Sequence, residues 1–270
     1  MLKKNNSKKL GLALGSGAQR GVALLGVLKA LEEAGIKIDF ISGASIGSLV
    51  AACYASSLDS LATSEYLISR ADFFKKIGLT DLRLSSGLVK RGALERILKE
   101  IFRNQTFSNV KIPLRIATTD LSGGVSKIIK SGSLAKAVCA SCSVPLIFEP
   151  FKIKNRYFVD GGLSDPVPVK TLKESGADVV LAVNLYHRHE FVNEEFNLVK
   201  TALRSSRIAL YHLAQTSIQE ADLVISPDLS AFIDQGPRKL LSNDSLDKMI
   251  AVGYLATKKQ IPKIKRLLAN

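Results

Sequence analysis

The chain has 270 residues, enough for one large α/β domain with a sizeable core and not so many that two are required. Hydrophobic residues make up 46% and charged residues 23%, which excludes a disordered, collagen-like or coiled-coil chain and leaves a globular one. The formal net charge of +14 favours an anionic partner: nucleic acid, an anionic membrane surface or an acidic substrate.

The first apolar run, Leu10 to Leu14, is flanked by Lys3, Lys4, Lys8 and Lys9. It is too short and too punctuated by glycine for a secretory leader, and it reads as a strand that runs into a Gly/Ser loop. Arg20 to Ala34 has helical periodicity, with Val22, Leu25, Leu28 and Leu31 three or four apart, and Gly35 stops it. Ile38 to Ser42 is a second strand, followed by a tight turn and a helix from Ile46 to Ser56. Helices are expected over Ser60–Arg70 and Gly92–Phe102, and residues 58–91 could form a lid. Leu114–Thr118 and Val125–Ile129 read as strands, Ser133–Cys142 as a helix, and Ile153 with Arg156–Val159 as a hairpin. Val179–Asn184 is a further buried strand. Long helices are expected over Leu198–Gln219 and Ser245–Lys265, with a strand at Leu223–Ser226 between them. Alternation of this kind predicts a mainly parallel central sheet with helices on both faces, a three-layer α/β/α sandwich in one domain covering residues 1–270.

No apolar run approaches the roughly 20 residues that a spanning helix needs. Three cysteines make no disulfide framework, so a reducing, cytoplasmic setting is expected. The pair Cys139-Ala140-Ser141-Cys142 lacks a second pair or a neighbouring histidine and makes a poor zinc site. Small buried thiols fit it better than a redox pair. Nucleic acid is not expected as a partner. The chain carries no nucleic-acid-binding motif and no tryptophan, and only 6% of it is aromatic.

Three local patterns carry chemistry. In Gly43-Ala44-Ser45-Ile46-Gly47 a serine sits between a strand and a helix, the context of a nucleophile elbow. Gly43 and Gly47 remove Cβ atoms that would clash in so sharp a turn, and the helix N-terminus sets a positive dipole end beside Ser45. The loop Gly15-Ser16-Gly17-Ala18-Gln19-Arg20-Gly21 also joins a strand to a helix and can bind a phosphate or an oxyanion through main-chain N–H groups. A dinucleotide fold competes for that loop; Gly21 is misplaced for it, although Asp39 lies near the position of its acid. Third, Val159-Asp160-Gly161-Gly162 sends a carboxylate out of a short strand into a flexible turn, which by itself is also an ordinary hairpin signal.

Together and in order, these patterns resemble the patatin-like phospholipase family, whose small one-domain intracellular members look most similar. Further likeness lies in Ala117-Thr118-Thr119-Asp120-Leu121, in Ala140-Ser141-Cys142-Ser143-Val144-Pro145 with Phe148 and Pro150, and in Asp165-Pro166-Val167-Pro168. The resemblance implies a serine acyl hydrolase with a Ser45–Asp160 dyad acting on a fatty-acyl ester, a phospholipid or lysophospholipid. It implies an oxyanion loop at Ser16, Gly17 and Ala18, with Arg20, Gly21, Gly161 and Gly162 in support, and no metal or organic cofactor. The family's glycine triplet appears here as Ser16-Gly17-Ala18, and an alanine at position 18 is unfavourable if that position needs a positive φ.

Two alternatives stay open at this point. His187, His189 and His212 follow Asp160, so a Ser–His acyl transferase is compatible with residue order. A non-catalytic lipid- or membrane-binding module is compatible with the altered loop. The segment Lys258–Leu268 sets Ile261, Ile264, Leu267 and Leu268 on one face among lysines, with Pro262 marking a first turn. It predicts either a terminal helix docked on the domain or a basic amphipathic helix in peripheral contact with an anionic membrane.

Overall fold

The computed structural model describes residues 8–69, 92–145, 147–187, 198–232 and 242–269. In chain order the elements are β1 (Leu10–Leu14), α1 (Ala23–Glu33), β2 (Phe40–Ala44), α2 (Ile46–Ser57), α3 (Ser60–Ile68), α4 (Ala93–Phe102), β3 (Leu114–Asp120) and β4 (Val125–Ile129). They continue with α5 (Leu134–Ser141), β5 (Phe151–Ile153), β6 (Arg156–Val159), α6 (Lys170–Glu174), β7 (Val179–Val183), α7 (Leu198–Ser217), β8 (Leu223–Ile225) and α8 (Asn243–Ala269). Single 3-10 turns occupy Ala18–Val22 and Gly161–Leu163. The helix expected from Arg20 therefore starts as a tighter 3-10 turn and becomes α-helical only at Ala23. The candidate lid is described only as far as α3; residues 70–91 lie outside the described residues.

One sheet runs β5-β6-β3-β2-β1-β7-β8, with β4 also on β3. The β3-β2-β1-β7-β8 pairings are parallel, and the β4, β6 and β5 pairings are antiparallel. β1 is buried along its whole length, as a central parallel strand covered on both faces must be. Its side chains alternate with the pleat: Leu12 and Leu14 enter the larger core with α1 and α2, while Ala13 enters a smaller core with Leu172 and Ala214 from α6 and α7. The three layers follow from that division.

One edge of β3 is shared by two strands. β4 covers Ile116–Asp120 on one side, so the other side holds β2 opposite Leu114–Ala117 and β6 opposite Thr119 and Asp120. β2 runs up that edge and β6 runs down it. They stop with Thr118 between them, and the next residue on each chain is Ser45 or Asp160.

α8 is one continuous helix with Pro262 in its interior, not at a first turn. Pro262 leaves the Lys258 carbonyl without its helical donor, and both residues are exposed, which lowers the cost of the lost bond. Ile264 is fully buried, and Ile261, Leu267 and Leu268 pack against the core. The apolar face of this basic helix is therefore spent on the domain. Among the described residues, no helix is long and apolar enough to cross a membrane.

Candidate active site

The five residues of the elbow fold as their composition demands. Ser45 has φ 53° and ψ −127°, a sparsely populated conformation for a residue with a side chain. A Cβ on Gly43 would strike the carbonyl of Gly47, and one on Gly47 would come within 2.7 Å of the Gly15 carbonyl oxygen. The turn thus packs against itself and against the end of β1. The Ser45 carbonyl accepts from the N–H and the hydroxyl of Ser48, and the Ser45 N–H donates to Ser141 Oγ at 2.9 Å. Ser141 in turn donates to the Ala117 carbonyl at 2.7 Å, tying the elbow to β3 and α5.

Ser45 Oγ donates to Asp160 Oδ2 at 2.6 Å, and both residues are buried. The second carboxylate oxygen, Oδ1, accepts from the Gly162 N–H at 2.7 Å. The Asp160 main chain is fixed at both ends: its N–H donates to the Ser143 carbonyl and its carbonyl accepts from Thr119 Oγ1. Burial pushes the Asp160 carboxyl up to about 6, against the opposing pull of the hydrogen bonds from Ser45 and Gly162. The carboxylate is still largely ionised at neutral pH, and it is a stronger base than an exposed aspartate.

The glycine-rich loop faces the same space. No acceptor among the described residues takes the N–H of Gly17 or Ala18. Ser16 differs: its N–H donates to the Pro166 carbonyl at 2.8 Å, and its Oγ pairs with Tyr186 Oη at 2.9 Å. Ser16, expected among the oxyanion-loop residues, thus has its N–H and its hydroxyl engaged within the protein and anchors the loop. Ala18 has φ 50°, so the alanine occupies a left-handed position that suits glycine. Arg20 holds the loop from within. Its main-chain N–H and its Nε both donate to the Gly17 carbonyl, and its guanidinium lies 5.1 Å from the Tyr186 ring centroid. Gly21 abuts Ile46, bringing the loop against the first residue of α2, and Gly161 abuts the Ala117 carbonyl.

A cavity of about 320 Å³ opens beside Ser45 and Asp160. Leu25, Leu49, Leu67, Leu98, Phe148 and Leu246 contribute to an apolar wall, and among the described residues the charged ones lining it besides Asp160 are Arg20 and Arg207. Neither His187 nor His212 is hydrogen-bonded to Ser45 or Asp160. His187 Nε2 faces the Pro227 carbonyl, and His212 is exposed on α7 beside Tyr211. His189 lies outside the described residues. The thiols of Cys139 and Cys142 are pushed up, Cys139 to about 12, chiefly by burial, which opposes a redox role. Among the described residues, no cluster of histidine, cysteine and carboxylate side chains could hold a metal ion.

Sequence reasoning missed Ser141, Ser143 and Thr119 as the groups that orient the dyad. Each stands in a segment noted for its likeness to the family, but hydroxyls and carbonyls of this kind carry no local signature. The sequence profile of the patatin-like phospholipase family matches residues 12–173. An uncharacterized NTE family protein of Mycobacterium bovis is 31% identical over 183 residues, 67% of this chain and 50% of that protein. Lysophospholipase NTE1 of Coccidioides immitis is 34% identical over 182 residues, 66% of this chain and 12% of that protein. The chain thus spans half the length, or less, of these relatives. In the crystal structure of VipD from Legionella pneumophila, a fold with TM-score 0.56 and 15% identity covers 95% of this chain and 67% of that one. That likeness bears on the fold alone.

Proposed function

The chain belongs to the patatin-like phospholipase family, and on that premise we propose that it hydrolyses fatty-acyl lipid esters with Ser45 as nucleophile and Asp160 as its base. The observation that carries this reading is the 2.6 Å hydrogen bond from Ser45 Oγ to Asp160 Oδ2 beside an apolar cavity. As Ser45 Oγ bonds to the ester carbonyl carbon, its proton passes to Asp160. The carbonyl electron pair moves onto oxygen, where the N–H groups of Gly17 and Ala18 and the positive end of α2 stabilise it. Collapse of the tetrahedral adduct breaks the bond to the leaving alcohol, and Asp160 returns the proton to it. Water then releases the acyl group from Ser45 by the same steps in reverse.

The apolar wall suits an acyl chain, and Arg20 and Arg207 favour an anionic group on the substrate. The fungal relative is named a lysophospholipase, which supports a lysophospholipid. We read residues 1–270 as a single acyl hydrolase domain of this kind, acting at a lipid surface.

Fatty-acid release from 1-palmitoyl lysophosphatidylcholine tests the reading. Ser45→Ala and Asp160→Asn are each expected to lower kcat/KM by about a thousandfold, the range of a lost nucleophile or general base. The base must be ionised, so the wild-type rate should rise with pH through about 6 and level off above it. Turnover that survives Ser45→Ala, or an acid limb at the ordinary carboxylate position near 4, would contradict it.

A further inference from the structure

We propose that the tips of the β3–β4 and β5–β6 hairpins form the surface that docks this protein on an anionic lipid bilayer. The inference rests on the lipid-ester reading above, since a hydrolase of membrane lipid must meet its substrate at a surface.

The geometry starts at the dyad. Ala44 pairs with Ala117, so Ser45 stands level with Thr118. Leu121 lies three residues further along the chain, immediately past the end of β3, about 10 Å beyond the nucleophile at roughly 3.3 Å per residue. Its N–H donates to the Tyr157 carbonyl, and Val125 pairs with Asp120 from the other side. Leu121, Val125 and Tyr157 are all exposed large apolar side chains, gathered on one end of the sheet. Leu163, on the turn after Asp160, is also exposed and lines the catalytic cavity, which continues the apolar surface to the site.

The charge in this stretch is predominantly positive. Between Leu121 and Phe158 the sequence has six cations (Lys127, Lys130, Lys136, Lys152, Lys154 and Arg156) and one acid, Glu149. Lys127, Lys152, Lys154 and Arg156 are exposed on the two hairpins, and Lys130 is exposed at the far end of β4 from the tip. Lys152 Nζ lies 5.4 Å from the Tyr157 ring centroid, which keeps a cation beside the apolar tip. Arg156 is engaged by buried Asp120 at 3.0 Å, which leaves the lysines as the outward-facing charge. Exposed apolar side chains ringed by lysines match the chemistry of a bilayer with anionic head groups. The C-terminal helix, also basic, packs Ile261, Ile264, Leu267 and Leu268 on the domain and, among the described residues, leaves Leu255 as its one exposed large apolar side chain, not a cluster.

The chain contains no tryptophan, so a single introduced tryptophan reports its own surroundings. Leu121→Trp and Leu255→Trp, each in a Ser45→Ala background, are titrated with vesicles of phosphatidylcholine containing phosphatidylglycerol, or of phosphatidylcholine alone. Leu255 is exposed on the C-terminal helix and serves as the comparison. Emission from position 121 is expected to shift to the blue with the anionic vesicles and not with the neutral ones, while position 255 stays unchanged. Lys127→Glu/Lys152→Glu/Lys154→Glu should weaken vesicle co-sedimentation at least about tenfold, as loss of several juxtamembrane cations implies, and leave hydrolysis of soluble p-nitrophenyl butyrate unchanged. A shift at position 255 alone, equal binding by the triple variant, or no binding to anionic vesicles would overturn the proposal. Because binding is read in the Ser45→Ala background, its failure is distinct from a failure of the dyad chemistry, which the soluble ester reports.

Discussion

Asp160 is the residue at which the proposed function opposes stability. Burial raises its carboxyl from 3.8 to about 6, so the folded chain holds the proton more tightly than the unfolded chain does. Folding is thus favoured most by this group when it is protonated in both states, below about pH 4. That contribution falls as pH rises to about 6 and stays low above it. At neutral pH the ionised form costs about 3 kcal/mol on the scale of 1.36 kcal/mol per pH unit. Asp160→Asn keeps the acceptor for the Gly162 N–H and can donate to Ser45 Oγ, but carries no charge to bury. Its melting temperature at pH 7.5 is expected to exceed that of the wild type by several degrees, with the gain shrinking at pH 4.5. Thermal unfolding at the two pH values checks this, and a variant less stable than wild type at pH 7.5 would count against it. Ser45 and Ala18 bear the other local cost, each with φ near 50° in a place where glycine would be relaxed.

At the scale of elements, α1 and α8 hold the glycine-rich loop, the proposed oxyanion site, in place. They cross where Gly26 faces the Ile250 carbonyl and Gly253 faces the Ala23 carbonyl, contacts that leave no room for a Cβ on either glycine. Ala23 is the first residue of α1 and follows the 3-10 turn that carries Arg20. Gly253→Leu should therefore separate the helices, lower stability by about 3 kcal/mol, the upper end for an overpacked core, and reduce kcat by disturbing the Gly17–Ala18 donors. Urea unfolding with a parallel esterase assay measures both. Loss of stability without loss of kcat would uncouple the crossing from the loop. None of this was legible in the sequence: the two glycines lie far apart in the chain, and a contact of that span leaves no local pattern. The same limit explains Pro262, whose position suggested a helix start because its exposed outer face could not be known.

Over the whole molecule, what could be read was local. The elbow at Ser45 and the Asp160 turn announce themselves within five residues because their backbone needs restrict residue type. The alternation of strands and helices announces the layers. The meeting of β2 and β6 on one edge of β3 does not, because it depends on register among three strands. Ser16 shows the cost: its side chain and position suited the loop, yet Pro166, brought in from a distant segment, takes its N–H. The proposed dyad works without histidine, although the chain has three. Reaction with a fluorophosphonate, read by intact mass and peptide mapping, tests it most directly. The wild type and the His187→Ala/His189→Ala/His212→Ala variant should each gain one adduct, on Ser45, at similar rates, and Asp160→Asn should gain almost none. An adduct elsewhere, undiminished labelling of Asp160→Asn, or loss of labelling with the histidines would contradict it.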